Sequence, residues 1–178
     1  SDDTVEQQCR NWGVPVFRGP VNDVLARYHG AVQSIPPSRG PVKAIVRITA
    51  DCPLLDSRVV DCVVQDMISG QYDYVSNVDP PTYPDGLDVE VFTKAALDEA
   101  FLRATLPSER EHVTPYIRNN PRCRKFNRIH APDLSNIRLT LDTDKDFLLI
   151  SRIYQALYRP GKIFFLGDIL RLLKKEPA

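Results

Sequence analysis

The segment Ala44–Asp56 (AIVRITADCPLLD) limits the possible folds of this chain more than any other stretch. Its first five residues are apolar and mostly β-branched apart from Arg47, and proline bounds them on each side. This pattern predicts a short strand buried on both faces, as in a parallel sheet. The strand runs toward Asp51, and ligands of open α/β sheets bind at the carboxyl ends of strands. Asp51 could therefore hold a divalent cation against phosphate oxygens, or it could merely cap a turn.

Apolar residues recur with helical or strand spacing along most of the remaining chain. The clearest helix is Ser57–Ser69, and the clearest further strand is Leu87–Phe92, in which apolar residues alternate with Asp88 and Glu90. Other helices are predicted at 1–11, from 22 or 23, from 93, at 108–119, at 142–158 and from 168, and other strands at 14–17, 72–76, 126–130 and 137–141. This alternation predicts an α/β fold with a mostly parallel sheet, in a single domain spanning 1–178.

The charge balance excludes several classes of protein. Lysine and arginine together number 23, aspartate and glutamate also number 23, and the formal net charge is zero. A chain that binds nucleic acid electrostatically would carry a basic excess or cluster, and this sequence has neither.

No apolar run approaches the roughly 20 residues of a transmembrane helix, and the first residues are too polar and acidic for a signal peptide.

The four cysteines, Cys9, Cys52, Cys62 and Cys123, lack the spacing of a zinc site. We expect reduced, mostly buried thiols in a cytoplasmic protein. Cys52 follows Asp51 directly and could act as a nucleophile, but nothing near it in the sequence marks a general base, which argues against that role.

A second predicted strand, 137–141, also runs into an aspartate, Asp142. Two aspartates at the ends of two strands can share one Mg²⁺, which prefers a few carboxylates together with phosphate and water oxygens. A capping box formed by Thr143 and Asp146 explains the second of these acids without any metal. It does not explain Asp142, because that residue precedes the cap. The candidate metal ligands are therefore Asp51 and Asp142.

Three further polar residues are candidates for contact with a substrate. Asp88 and Glu90 lie two residues apart in a predicted strand, so their side chains share one face. The proline-rich loop 77–86 that precedes them favours a polar substrate pocket over a merely solvated face. A capping box accounts for Glu111 and leaves the neighbouring His112 free, although a single histidine is more often structural.

Five longer motifs follow one another across nearly the whole chain: Arg47–Asp56 (RITADCPLLD), Asp73–Asn77 (DYVSN), Pro84–Phe92 (PDGLDVEVF), Ser108–Ile117 (SEREHVTPYI) and Arg138–Thr143 (RLTLDT). These motifs resemble those of the SpsF-type spore coat polysaccharide biosynthesis proteins, which belong with the acylneuraminate and Kdo cytidylyltransferases. The resemblance implies a three-layer Rossmann-like fold of the glycosyltransferase-A-like type. It also implies a nucleotidyltransferase of surface polysaccharide biosynthesis, which moves CMP from CTP to a sugar acid or related acceptor.

Roles for individual residues follow from the same resemblance. In that superfamily one acid after the central strand and one in the late Asp-Thr motif bind Mg²⁺, and the matching residues here are Asp51 and Asp142. Asp88, Glu90 and His112 would contact the acceptor. A homodimer is the expected assembly.

Arg47 has two possible roles within this scheme. It could contact a phosphate or the base of CTP, or it could pair with Asp51 or Asp142 as a buried strand arginine. The sequence leaves both possibilities open.

The sequence departs from that family at its start. Members begin with a strand and a Gly- and Arg-containing loop that wraps the triphosphate, followed by a helix and another strand. This sequence begins at what resembles the helix that comes after all of these. No GxGxxG or P-loop pattern occurs in the 178 residues. The resemblance therefore implies an N-terminally truncated fold, without one βαβ-like unit of about 30 residues or more.

Two other functions remain compatible with the sequence. A glycosyltransferase of similar fold would bind its metal through a DxD motif, which Asp142-Thr-Asp144 matches, although later in the chain than the resemblance would place it. A chain without the triphosphate loop could also be an inactive dimerisation module. Binding of CTP separates the dimerisation module from the cytidylyltransferase, and pyrophosphate release with a panel of sugar acids separates the two enzymes.

Overall fold

The computed structural model describes residues 2–175 and shows an α/β fold. In chain order the elements are α1 (Asp3–Asn11), α2 (Val24–Gln33), β1 (Ala44–Arg47), α3 (Ser57–Ser69), β2 (Tyr74–Ser76), β3 (Glu90–Thr93), α4 (Lys94–Arg103), α5 (Pro107–His112), α6 (Pro115–Asn119), β4 (Lys125–Asn127), α7 (Asp144–Leu157) and α8 (Leu166–Lys175). The first residue of the helix predicted at 1–11 lies outside the described residues. No helix in residues 2–175 combines the length and apolar character needed to span a bilayer.

These elements are distributed over two compact units. The first unit comprises the chain up to Lys43 together with Lys94–Cys123, and it contains α1, α2, α4, α5 and α6. The second comprises Ala44–Thr93 and the chain from Arg124 onward, and it contains the strands with α3, α7 and α8. Five of the six candidate site residues belong to the second unit, and His112 belongs to the first.

The sheet of the second unit has the strand order β1-β3-β2-β4. Strands β1 and β2 each pair antiparallel with β3, and β2 pairs parallel with β4, so β3 alone runs against the other three. A mostly parallel sheet was predicted. Three of the four strands do run in the same direction, but two of the three strand pairings are antiparallel. The connection from β2 to β3 contains no helix, whereas parallel neighbours are usually joined by a helical crossover.

The predicted burial of the first strand is wrong. Strand β1 lies at an edge of the described sheet, its residues alternate between exposed and half-buried, and Val46 is 40% exposed. The central strands are β3 and β2, and both are buried: Val91 and Phe92 of β3 and Val75 of β2 are inaccessible to solvent. An edge strand has a neighbour on one side only, so an apolar sequence there is covered less than the same sequence in the sheet centre.

The core of the second unit contains side chains from α3, α7 and α8 together with the strands. Leu87, Val89 and Val91 are fully buried, as their alternation predicted. The buried residues of α3 are spaced four apart, beginning at Val59, which confirms its amphipathic pattern.

The connection between β2 and β3, residues 77–89, is closed by a buried asparagine. The side-chain amide of Asn77 donates to the Leu87 carbonyl at 2.8 Å, and its carbonyl oxygen accepts the Val89 N–H at 2.8 Å. A buried amide in this position satisfies backbone groups that no neighbouring strand reaches. The loop is therefore a fixed part of the fold, and its last residues include Asp85 and Asp88.

The segment Ile137–Leu141 is not a strand of the sheet, contrary to prediction. It forms an isolated parallel bridge between Asp85 and Arg138, and the Leu139 N–H donates to the Asp85 carbonyl at 2.7 Å. Gly86 has a φ of +99°, and a Cβ at this position would lie 2.7 Å from the Leu139 backbone. Only glycine permits this approach. The segment therefore pairs with the loop instead of with a sheet edge.

Three predicted helix starts are confirmed. Asp23 and Asp56 each accept a backbone N–H at 2.9 Å at the first turns of α2 and α3, and Thr143 with Asp146 forms the capping box of α7. Asp56 also accepts the Leu166 N–H at 2.8 Å. One buried carboxylate therefore connects the starts of α3 and α8.

The first unit differs from prediction at two places. Residues 14–17 form no strand, and the single helix predicted at 108–119 is split into α5 and α6 at Val113, which has a φ of 71°. Pro115 contributes to the break, because proline has no N–H to continue the hydrogen bonding of α5 and it suits the first turn of a new helix, where it lies in α6. The capping acid of α5 is Glu109 rather than Glu111, since Glu109 accepts the N–H groups of residues 105 and 106.

Candidate active site

Two predicted metal ligands lie on neighbouring backbone segments in the second unit. The Leu141 N–H donates to the Asp51 carbonyl at 2.8 Å. Asp142 is the residue after Leu141, so its backbone lies next to that of Asp51. Both aspartates are exposed. The fold thus brings together two acids that are far apart in the sequence, and it leaves both accessible to a ligand.

The turn after β1 keeps Asp51 ionised. A hydrogen bond from the Thr49 side chain lowers the pKa of Asp51. The Cys52 thiol, 3.6 Å away, and the charge of Arg47 lower this pKa further, and together these effects outweigh partial burial. Metal binding requires the ionised form of a carboxylate, so Asp51 suits a divalent cation at neutral pH.

Cys52 lies beside Asp51 but lacks the properties of a nucleophile. Burial, together with the negative charges of Asp51 and Asp88, raises the pKa of the Cys52 thiol to about 11. The thiolate is the reactive form, and almost none is present at neutral pH. None of the four cysteines forms a disulfide within residues 2–175. The expectation of mostly buried thiols is wrong, because only Cys52 is buried, whereas Cys9 and Cys123 are half-buried and Cys62 is exposed.

Arg138 binds three carboxylates, and we call this group the Arg138 cluster. Its guanidinium donates to Asp85 from Nη1 at 2.8 Å, to Asp142 from Nη2 and to Asp146 from Nε at 3.3 Å. The Arg138 hydrogen bond, together with backbone N–H donors, lowers the pKa of Asp146 to about 2. Arg138, Asp85 and Asp142 each remain about half exposed, and ion pairs in contact with water are weak. A cation or a phosphate can therefore replace these contacts at low cost.

Asp88 lies among like charges and makes no hydrogen bond to any residue in the described range. Burial raises the pKa of Asp88 to about 6, and the neighbouring carboxylates of Asp85, Glu90 and Asp51 also raise it, against the opposing charge of Arg47. These electrostatic contacts place Asp88 in the same acidic region as Asp51. A half-buried carboxylate without a partner is suited to accept hydrogen bonds from a substrate.

Glu90 occupies a different environment from the one expected. It is buried, with 4% of its surface exposed. Its Oε2 accepts a hydrogen bond from Arg47 Nη1 at 2.6 Å, and its Oε1 accepts one from the Tyr74 hydroxyl at 2.6 Å. The predicted contact with acceptor hydroxyls is corrected here, because the neighbouring strands cover this carboxylate and both its oxygens are bound. We call Arg47, Glu90 and Tyr74 the Arg47 cluster.

His112 is the last residue of α5, and its side chain is exposed. The next residue, Val113, has a positive φ, which is unfavourable for a β-branched side chain. Backbone strain of this kind recurs at ligand sites, so His112 keeps its place as a candidate substrate contact.

The residues around Asp51 and Asp142 fit Mg²⁺ rather than a metal held by protein ligands alone. No group of three or more His, Cys, Asp or Glu side chains within residues 2–175 is arranged to enclose a metal. Mg²⁺ is typically held by one or two carboxylates, with phosphate and water oxygens completing its shell. Thr140, two residues before Asp142, has a buried hydroxyl with no hydrogen-bond partner among residues 2–175, as expected where a ligand supplies the partner.

Three residues of the site were not identified from the sequence alone. Tyr74 was assigned only to a strand, Asp85 to a turn and Arg138 to a strand, although all three lie within the five family-like motifs. Their membership of those motifs was the only available signal. Their contacts depend on pairings between distant segments, which spacing along the chain does not encode.

Comparison with known proteins gives consistent results. A family model described as Cytidylyltransferase matches residues 1–161. The chain is 40% identical over 151 residues to the uncharacterized protein MJ1063 of Methanocaldococcus jannaschii. This alignment covers 83% of this chain and 59% of that relative. It is also 31% identical over 182 residues to the spore coat polysaccharide biosynthesis protein SpsF of Bacillus subtilis. That alignment covers 99% of this chain and 72% of SpsF.

One solved structure shows the same fold. It is a cytidylyltransferase from Leptospira borgpetersenii serovar Hardjo-bovis, with a TM-score of 0.89 and 32% identity. The match covers 99% of this chain and 72% of that one. The chain thus spans about 60 to 70% of the length of the relatives it matches.

Proposed function

Because the chain belongs to the cytidylyltransferase family, we propose that it transfers CMP from CTP to a sugar acid or a related acceptor. The observation that carries the proposal is the contact between the Leu141 N–H and the Asp51 carbonyl, which brings Asp51 and Asp142 together. Two accessible carboxylates on adjoining segments are suited to a metal-bound triphosphate. The name of the Bacillus relative supports an acceptor used in surface polysaccharide biosynthesis.

The proposed reaction is a displacement at phosphorus. An acceptor hydroxyl oxygen attacks the α-phosphorus of CTP, and a new P–O bond forms. The bond from the α-phosphorus to the bridging oxygen breaks, pyrophosphate leaves, and the hydroxyl proton passes to solvent. Mg²⁺ held by Asp51 and Asp142 would neutralise the charge that grows on the phosphate oxygens. The chain supplies positioning and electrostatic stabilisation and needs no nucleophile, in keeping with the protonated Cys52.

The remaining site residues divide between the two substrates. Arg47 uses one N–H group on Glu90 and has others for a phosphate oxygen of CTP. Asp88 accepts hydrogen bonds from acceptor hydroxyls, and His112 makes a further acceptor contact. Glu90 supports Arg47 instead of touching the acceptor. The homodimer remains part of the proposal, and light scattering of the purified protein tests it.

Calorimetry with CTP and Mg²⁺, followed by pyrophosphate release with a panel of sugar acids, tests this function. We expect CTP binding, and turnover with at least one acid. Asp51→Asn should remove turnover, whereas Asp61→Asn, at an exposed position of α3 outside the site, should not. CTP binding without turnover on any acid would refute the acceptor class. A dimer that binds no CTP would refute the enzyme and support the dimerisation module.

A further inference from the structure

Three neighbouring strands contribute one residue each to the Arg47 cluster. Arg47 of β1 lies directly opposite Glu90 of β3 in the antiparallel register, and Tyr74 comes from β2, on the other side of β3. The two hydrogen bonds, from Arg47 and from Tyr74, reach different oxygens of the same carboxylate. Glu90 is therefore fixed from both sides, and its position determines where the Arg47 guanidinium lies.

Burial differs along this row of side chains. Tyr74 is 3% exposed and the Glu90 side chain 5%, whereas the Arg47 side chain is 21% exposed. A buried carboxylate is costly unless its oxygens are hydrogen-bonded, and here both are. The cluster is closed at the tyrosine end and open at the arginine end, where further N–H donors of the guanidinium have no partner among residues 2–175.

The open end of the cluster lies near Asp51, one of the two candidate metal ligands, because Arg47 is the last residue of β1 and the turn that contains Asp51 follows it directly. The charge of Arg47 acts on both Asp51 and Asp88, so the guanidinium lies within electrostatic range of these carboxylates. A fixed cation beside metal-binding carboxylates is well placed to bind a phosphate oxygen, because a metal-bound triphosphate presents its oxygens there. Arginine suits this position, since its planar group can bind Glu90 on one side and phosphate on the other.

We propose that Tyr74 and Glu90 are positioning residues, which hold the Arg47 guanidinium at the carboxylates so that it binds a phosphate of CTP. This inference rests on the proposed function, since it assigns part of the nucleotide site. Tyr74 touches no substrate and acts only through Glu90 and Arg47. The alternative is that the cluster merely stabilises the sheet, and the experiment separates the two.

The test compares the affinities of Tyr74→Phe for CTP with Mg²⁺ and for cytidine, both measured by calorimetry. Loss of one hydrogen bond that orients Arg47 should weaken CTP binding about three- to tenfold. Cytidine binding should not change, because cytidine has no phosphate for Arg47 to contact. Tyr83→Phe, another buried tyrosine of the second unit outside the cluster, is the matched control and should leave both affinities unchanged.

A double substitution shows whether Tyr74 acts through Arg47. In an Arg47→Gln background, Tyr74→Phe should cause no further loss of CTP affinity, because the group that it orients is absent. Three results would each overturn the inference. Tyr74→Phe could weaken CTP and cytidine binding equally, it could leave the CTP affinity unchanged, or its loss of CTP affinity could add to that of Arg47→Gln in the double variant. Failure of the unsubstituted protein to bind CTP would instead refute the proposed function, and this inference with it.

Discussion

The Arg47 cluster and the Arg138 cluster both pair an arginine with carboxylate chemistry, but in opposite environments. In the Arg47 cluster the Glu90 side chain is 5% exposed and Arg47 is 21% exposed. In the Arg138 cluster the side chain of Asp142 is 51% exposed and that of Arg138 is 48% exposed. Each cluster pairs an arginine with carboxylates of the second unit, so burial is the main physical difference between them.

This difference determines which contacts a ligand can displace. Electrostatic attraction strengthens as water is excluded, and separating a buried pair leaves an uncompensated charge. The Glu90 contacts should therefore persist when substrate binds. The exposed contacts of Arg138 are weak and exchangeable, so Asp142 can turn to a metal. One cluster provides a fixed cation, and the other provides an available carboxylate.

The largest expected effect is on turnover, and it tests whether the exposed carboxylates hold the metal. Asp142→Asn and Asp51→Asn should each lower kcat by about 100-fold or more, because each removes a charge that stabilises the transition state through Mg²⁺. Asp144→Asn is the control, since Asp144 is exposed in the same segment and completes the DxD pattern. An equal loss of kcat in Asp144→Asn would favour the glycosyltransferase alternative. If Asp51→Asn or Asp142→Asn kept a near-normal kcat, the substituted residue would not be a metal ligand.

The second effect, on stability, tests the comparison directly. Glu90→Ala should lower the free energy of unfolding by about 3–5 kcal/mol, because it leaves Arg47 and Tyr74 without their buried partner. Asp142→Ala should lower it by less than about 1 kcal/mol, as expected for an exposed pair. Urea titration followed by circular dichroism, with EDTA present, measures both values. Similar losses in the two variants would show that burial does not distinguish the clusters.

A third prediction concerns pH, through Asp88. The pKa of Asp88 is raised to about 6 in the folded chain, above the value of about 3.9 for an unfolded chain, so the folded state binds more protons between these limits. This group's contribution to stability is therefore complete below about pH 4 and is lost as pH rises through 6. Asp88→Asn should remove that decline and stabilise the metal-free chain at pH 7 by about 1 kcal/mol, after allowance for solvent screening.

Denaturation series at several pH values check the Asp88 prediction. Below that window Asp146 has the opposite effect, because Arg138 lowers its pKa to about 2 and its stabilisation is lost as pH falls. A pH dependence that is the same in the variant and the unsubstituted chain would show that Asp88 has an ordinary pKa.

The smallest expected effect is the response to salt. Arg138→Gln should cost about 0.2–1 kcal/mol at low ionic strength, and this cost should nearly vanish near 1 M salt, because exposed charges are screened. Arg47→Gln should cost the same at both salt concentrations, since its pair with Glu90 is largely shielded from ions. If salt reduced both costs equally, Arg47 would be as exposed to solvent as Arg138.

Local patterns predicted a good part of this fold. The helix Ser57–Ser69 was predicted with its observed bounds, and the start of α2, predicted at residue 22 or 23, is capped by Asp23. Helices and caps depend on neighbours within a few residues, so the sequence contains the information they need. Asp51 and Asp142 were singled out because each follows an apolar extended segment, and the fold places those segments in contact.

The errors concern positions within the sheet. Strand β1 was expected in the centre and lies at an edge, whereas β3 was expected to have one polar face and is buried at Glu90, Val91 and Phe92. A strand's own residues do not determine its neighbours. The break at Val113 was not predicted, because the capping pattern at 108–111 indicates where a helix begins and not where it ends.

The sequence by itself determined the helices, the alternation in Leu87–Phe92 and the identity of the acids, because these depend on residue type and short-range spacing. Only the tertiary structure decided that Glu90 lies between two strands, that Arg138 binds three carboxylates, and that the segment before Asp142 contacts the Asp51 backbone. Each of those outcomes depends on strand order and on contacts between distant segments. The charge and hydrogen-bonding capacity of a carboxylate are fixed by its chemistry, but its exposure to water is a property of the whole fold.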